Sequence, residues 1–256
     1  MMKRICQQVV RCAIVVAGAV AVLAPAPAQA QITRVNPSSE HRQSIGVTLG
    51  GFFLKPEDSR CDSNSLEACD DVLVADLTSL AFEVDDFNAG TITGEWLVGL
   101  SDFLELGFSA GYYQQTVPSV YRNFTDVDDS EIEQDLKLKM VPLTATVRFL
   151  PVGHATVEPY VGAGIGVFNW RYSETGEFVD FSDSSIFRAN YVAKGTAVGP
   201  VILAGLRIPF AEVFDIGGEV RWQRAKGDID TVETGLLGSK IDLGGWNAAA
   251  TFHFKF

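Results

Sequence analysis

Three histidines, His41, His154 and His253, are the candidate general bases of this 256-residue chain. Acyl-transfer chemistry needs a hydroxyl or thiol nucleophile within reach of such a base. His253 sits in Phe252–His253–Phe254 with no serine in its segment, His154 falls in a short connection, and His41 precedes the patterned part of the chain. No catalytic residue is assigned, and the chain is read as a non-enzyme. No cofactor is assigned. Gly162, Gly164 and Gly166 lie on one face of an alternating segment, not in a phosphate-cradling loop, and the acids from Asp126 to Asp135 lack the spacing of a calcium loop. Cys61 and Cys69 read as a local disulfide in an oxidising compartment; the interval holds no histidine that would favour zinc.

The elements that carry these residues alternate with period two, the mark of a strand with two unlike faces. Eight segments show it. They start at Ser44–Phe53, Ile92–Leu100 (which Leu97 interrupts) and Leu104–Tyr112. Leu136–Leu150 follows, in which Leu136 and Leu138 are out of phase with Val141–Phe149, and a bulge near Met140–Pro142 would reconcile the halves. The last four are Pro159–Tyr172, Ala197–Ile208, Phe214–Arg224 and Trp246–Phe256. The connections alternate too. Lys55–Asp86, Pro118–Asp135 and Ser173–Gly195 read as long loops, and Ala225–Lys240 as a moderate one. Ser101–Phe103, Pro151–Thr156 and Pro209–Val213 read as short turns.

Ahead of the strands, Lys3 and Arg4 precede an apolar run, Ala13–Leu23, and a small-x-small site at Ala28–Gln29–Ala30. This order predicts a signal peptide over 1–30 and a short segment over 31–42 before a barrel domain at 43–256. The apolar run is shorter than the ~20 residues a spanning helix needs. Acids outnumber bases 32 to 20, for a net charge of −12. No cluster of Lys and Arg appears along the sequence, so nucleic acid is not expected as a partner.

Long loops at one end, short turns at the other and an even strand number predict an all-β fold: an eight-stranded antiparallel transmembrane β-barrel, loops extracellular and turns periplasmic. The last strand ends in Phe252, Phe254 and Phe256, all on one face. That ending is similar to the signal read by the bacterial barrel-assembly machinery, an expected partner together with outer-membrane lipid and lipopolysaccharide. Trp96, Tyr112, Trp170, Tyr172 and Trp222 suit the two interfacial girdles. With the stretches Val141–Pro151 (VPLTATVRFLP) and Pro159–Trp170 (PYVGAGIGVFNW), the mature chain resembles the OmpW/OmpX/OmpA-like small outer-membrane barrels. The resemblance implies an eight-stranded barrel and no particular substrate.

The same phase turns Glu95, Glu105, Arg148, Arg207, Glu219 and Arg221 inward, because a charge on the lipid face costs several kcal/mol, ~2–4 for Arg or Lys at the midplane. Such a set is either a plug or the gate of a narrow pore. The expectation is a structural or interaction barrel with a filled lumen and acidic loops, the alternative a narrow channel for small or hydrophobic solutes. Within the first acidic loop, the apolar run Val72–Phe82 reads as a short helix over the barrel mouth or as a strand extension.

Overall fold

A computed structural model describes residues 43–61, 70–126, 128–180 and 182–256. The predicted signal peptide, residues 31–42 and Cys69 lie outside the described residues. Eight strands close a ring. In chain order they are β1 (Gln43–Leu54), β2 (Ala89–Ser101), β3 (Leu104–Thr125), β4 (Glu131–Phe149), β5 (Glu158–Val179), β6 (Ile186–Pro209), β7 (Phe214–Gln223) and β10 (Gly245–Lys255). A separate two-stranded ribbon, β8 (Lys226–Asp228) and β9 (Lys240–Asp242), stands between β7 and β10. Closure is made by β1 against β10, antiparallel from Ser44↔Lys255 to Leu54↔Gly245. A closed ring leaves no strand edge in lipid, so every ladder group inside the bilayer has a partner.

The wall is not of even height. β3 to β6 run 22, 19, 22 and 24 residues, against 12, 13, 10 and 11 for β1, β2, β7 and β10. At ~3.4 Å per residue, ten extra residues carry the tall side roughly 30 Å further along the strand direction. The segments predicted as long loops at Pro118–Asp135 and Ser173–Gly195 are therefore mostly strand. Pairing continues to Thr125↔Glu131 and to Val179↔Ile186.

The predicted bulge near Met140–Pro142 is absent. Pairing of β4 with β5 runs without a shift from Gln134↔Gly176 to Phe149↔Val161. What changes along β4 is the polarity of each face. In the lower half the outward residues Leu143, Val147 and Phe149 are exposed and Thr144, Thr146 and Arg148 are buried inside. In the upper half Leu136, Leu138 and Met140 occupy that same inward face and are buried. Below, the outer medium is lipid and apolar side chains face out. Above, it is water and they turn in. Trp170 and Tyr172 follow the same rule. Expected in a girdle, they are buried at 3% and 0% exposure inside the upper barrel. Trp96 and Tyr112, at 45% and 42%, do face outward. Leu97, which interrupts the second segment, is a buried lumen residue.

The upper interior is filled from the loops. A short helix, α1 (Val72–Asp76), is capped by Asp71, whose side chain accepts from the Leu73 amide. Val72, Leu73, Leu80, Phe82, Val84 and Phe87 join one apolar cluster with Tyr113, Val117, Leu136, Phe168 and Tyr172 of the wall. The Tyr113 hydroxyl donates to the Phe87 carbonyl. Both readings of Val72–Phe82 are thus partly met: a helical turn comes first, then Leu80 bridges to Tyr121 and the Ala81 amide donates to the Val120 carbonyl along the free edge of β3. The β8–β9 ribbon adds Ile229, Ile241 and Leu243 to the same cluster, and its tip holds a single helical turn, α2 (Thr231–Thr234).

The loops are locked by one buried cation. Arg60 donates from Nε and Nη2 to the two Asp71 carboxylate oxygens, at 2.9 and 3.0 Å, and from Nη2 to the Asp242 carbonyl at 2.7 Å. Asp71 also accepts from the Asp242 amide. On α1 the Asp76 carboxylate accepts from the Tyr172 hydroxyl at 2.7 Å. Burial pushes the Asp76 carboxyl well above the ordinary carboxylate range, the nearby Glu174 charge adds to the rise, and the Tyr172 hydrogen bond opposes it. Its folded value is raised, so the docked helix holds a proton that the released segment gives up. This contribution to docking is complete below the ordinary value near 3.8 and is lost as pH climbs through the raised one. Amide exchange of residues 72–87 should therefore quicken as pH rises through that window, after correction for intrinsic rates. Asp76→Asn should flatten the dependence; an unchanged slope in the variant would count against it.

Candidate functional site: a charge network across the lumen

Beneath the apolar cap the lumen is crossed by charge. All six predicted lumen residues, Glu95, Glu105, Arg148, Arg207, Glu219 and Arg221, are buried inside the ring. They form two tiers. In the central tier Arg148 Nη2 on β4 lies 2.6 Å from Glu95 Oε2 on β2 and 3.0 Å from Glu219 Oε2 on β7. Arg221 Nη2 lies 2.8 Å from Glu219 Oε1 and 3.6 Å from Glu95 Oε2, and its Nη1 donates to Ser109 Oγ. Two carboxylates thus face two guanidiniums, with His253 Nε2 at 3.4 Å from Glu95 Oε1.

The tier nearer the turns holds Arg207, with Nη2 at 2.8 Å from Glu105 Oε1 and Nε at 3.0 Å from Glu158 Oε2. Asp215 stands 3.9 Å from Arg207 Nε and 2.7 Å from Lys255 Nζ. His154, in the turn after β4, meets Glu158 at 3.2 Å, and that hydrogen bond raises its pKa above the ordinary imidazole value.

Tyr160 joins the tiers. Its hydroxyl donates to Glu219 Oε2 at 3.1 Å. The guanidiniums of Arg148 and Arg207 both lie over its ring, at 5.0 and 5.6 Å from the centroid. Such cation–π stacking is worth ~2 kcal/mol or more when desolvated. Glycine makes the room. A Cβ at Gly205 would lie 2.4 Å from the Tyr160 ring and hydroxyl, and one at Gly46 would lie 2.2 Å from the His253 ring.

Glu158, Tyr160, Asp215, His253 and Lys255 were not among the predicted set. Phase alone carries the signal for four of them: Asp215 shares a face with Glu219 and Arg221, Lys255 with His253, and Tyr160 with Gly162. Glu158 lay one residue before the predicted start of its strand. Both described histidines are engaged by glutamates, and His41 lies outside the described residues. Phe252, Phe254 and Phe256 face outward and extend into a ladder with Phe210 and Phe214, Phe214 meeting Phe254 at 5.3 Å between ring centroids.

A closed eight-stranded antiparallel ring with an apolar belt outside and paired charges inside is a transmembrane β-barrel, the architecture of small outer-membrane proteins. No protein-family model and no curated protein sequence matches the chain. Solved structures do. Outer membrane protein OprG from Pseudomonas aeruginosa is 14% identical, with 84% of this chain and 97% of that one covered and a TM-score of 0.46. Neisserial surface protein A is 11% identical over 84% and 96%, with a TM-score of 0.45. The Escherichia coli outer membrane protease OmpT is 9% identical over 86% and 98%, with a TM-score of 0.41. At these identities the likeness is one of fold and assigns no activity.

Proposed function

We propose that the protein is a non-enzymatic, non-conducting barrel of the bacterial outer membrane that presents acidic loops at the cell surface. The observation that carries this reading is the double filling of the lumen: an apolar plug above, and below it an ion-pair network reaching from β2 and β4 across to β7. Eight strands enclose a space that side chains can fill, and here they do. Export through a signal peptide cut after Ala30 and insertion guided by Phe252, Phe254 and Phe256 belong to the same reading. The purified protein should run heat-modifiably on a gel, fractionate with the outer membrane, and give negligible current in a planar bilayer. Steady ion-selective conductance of the wild type would favour the narrow-channel alternative instead. We also propose a Cys61–Cys69 disulfide in the first external loop, worth roughly 2–3 kcal/mol by the chain-entropy model. Two free thiols by mass spectrometry, in protein from an oxidising host, would refute it.

A further inference from the structure

We infer that the outward face of β4, β5 and β6, just above the apolar belt, binds a lipid headgroup carrying more than one phosphate, as the lipid A part of lipopolysaccharide does. The inference rests on the membrane reading above and adds a site to it. Register places Lys139 opposite Arg171, and Arg171 opposite Lys194. With strands ~4.8 Å apart, three cations on adjacent strands fall within roughly 10 Å on one face. Lys137 lies two residues further up β4 on that face. Below the row the same strands expose Leu143, Ile165 and Val198 to lipid, with Asn169↔Thr196 as the intervening polar pair. The row therefore sits at headgroup height.

Its isolation within the chain's charge pattern points to an anion. The protein has a net charge of −12, yet on this wall the outward acids Glu131, Glu133, Asp135 and Glu177 all stand above the row. Higher up, Arg188 is neutralised by Glu177 at 2.9 Å. Among the described residues, Lys137, Lys139, Arg171 and Lys194 are in no ion pair, and Lys139 Nζ instead lies 5.2 Å over the Tyr112 ring. Like charges directly opposite on neighbouring strands repel, and a multivalent anion at the membrane surface relieves that repulsion. A row of this length matches two phosphates better than one.

The test uses the full chain, refolded into phosphatidylcholine vesicles and titrated with lipopolysaccharide of bis-phosphorylated lipid A. At about one order of magnitude per one to two surface cations, Lys139→Gln/Arg171→Gln/Lys194→Gln should weaken binding roughly 100-fold, and Arg171→Gln alone about fivefold. Arg188→Gln should bind as the wild type does. The heat-modifiable band reports folding of each variant separately, and the single variant serves if the triple one does not fold. Wild-type affinity in a folded triple variant, or in a folded Arg171→Gln if only that one folds, would overturn the site. So would displacement of the lipid by inorganic phosphate at equal phosphate concentration, which would mark a free-anion site. A wild type that never enters the vesicles would instead overturn the membrane reading, and the site with it.

Discussion

Arg148→Met is expected to lower the stability of the folded barrel by about 3–5 kcal/mol, the usual cost of removing one partner from a buried ion pair. Arg148 is 1% exposed and makes the shorter contact to Glu95, 2.6 Å, as well as one to Glu219 at 3.0 Å, so its loss leaves Arg221 as the guanidinium facing two carboxylates inside the ring. Arg221 compensates incompletely, because its guanidinium is already committed to Glu219 and lies 3.6 Å from Glu95. Tyr160 loses one of the two cations stacked on its ring. Adding Glu219→Gln to the Arg148→Met variant removes one stranded charge and should recover part of the loss, so the two effects are non-additive. The urea midpoint of the heat-modifiable band measures both. An unmoved midpoint with altered ion selectivity would instead make these residues the lining of a pore.

Arg60→Ala is expected to release the external plug while the barrel stays closed. Arg60 is 2% exposed, holds Asp71 through two hydrogen bonds and ties the first loop to the Asp242 carbonyl of β9. Without it Asp71 is a buried carboxylate stripped of its cation. The penalty, again about 3–5 kcal/mol, falls on the loop assembly, because none of these bonds reaches the ladders of the ring. Under conditions where opening is fast relative to cleavage, that range raises protease sensitivity of residues 55–88 by about two to four orders of magnitude. The heat-modifiable band should remain. Asp71→Asn, which keeps the shape and removes the charge, should show a smaller effect. Equal protease resistance of Arg60→Ala and wild type would show that apolar packing alone seats the plug.

The ring was legible in the sequence because each of its strands repeats its pattern locally. Alternation at Leu104–Tyr112 or Phe214–Gln223 reports two unlike faces within a few residues, and lipid forbids charge on one of them. That is enough to turn Glu95, Arg148 and Glu219 inward. Their pairing was not legible. Arg148 and Glu219 are 71 positions apart in the chain and meet only because the ring brings β4 and β7 to face each other across a narrow lumen. The interior of the upper barrel was not legible for a related reason. Leu136, Leu138, Trp170 and Tyr172 look the same in sequence whether the outer medium is lipid or water. A bulge and a girdle are natural local readings of them. Only the height of each residue on the wall, and the loop that enters from above, determines which face is dry.

By itself, then, the sequence determined closure, strand number and the inward turn of the charges, since period-two patterning is a property of neighbours along the chain. The tertiary structure decided which charge meets which, where the lumen changes from polar to apolar, and that Arg60 joins two loops 182 positions apart. Those are properties of neighbours across the ring, where burial makes each contact depend on side chains that no local pattern names.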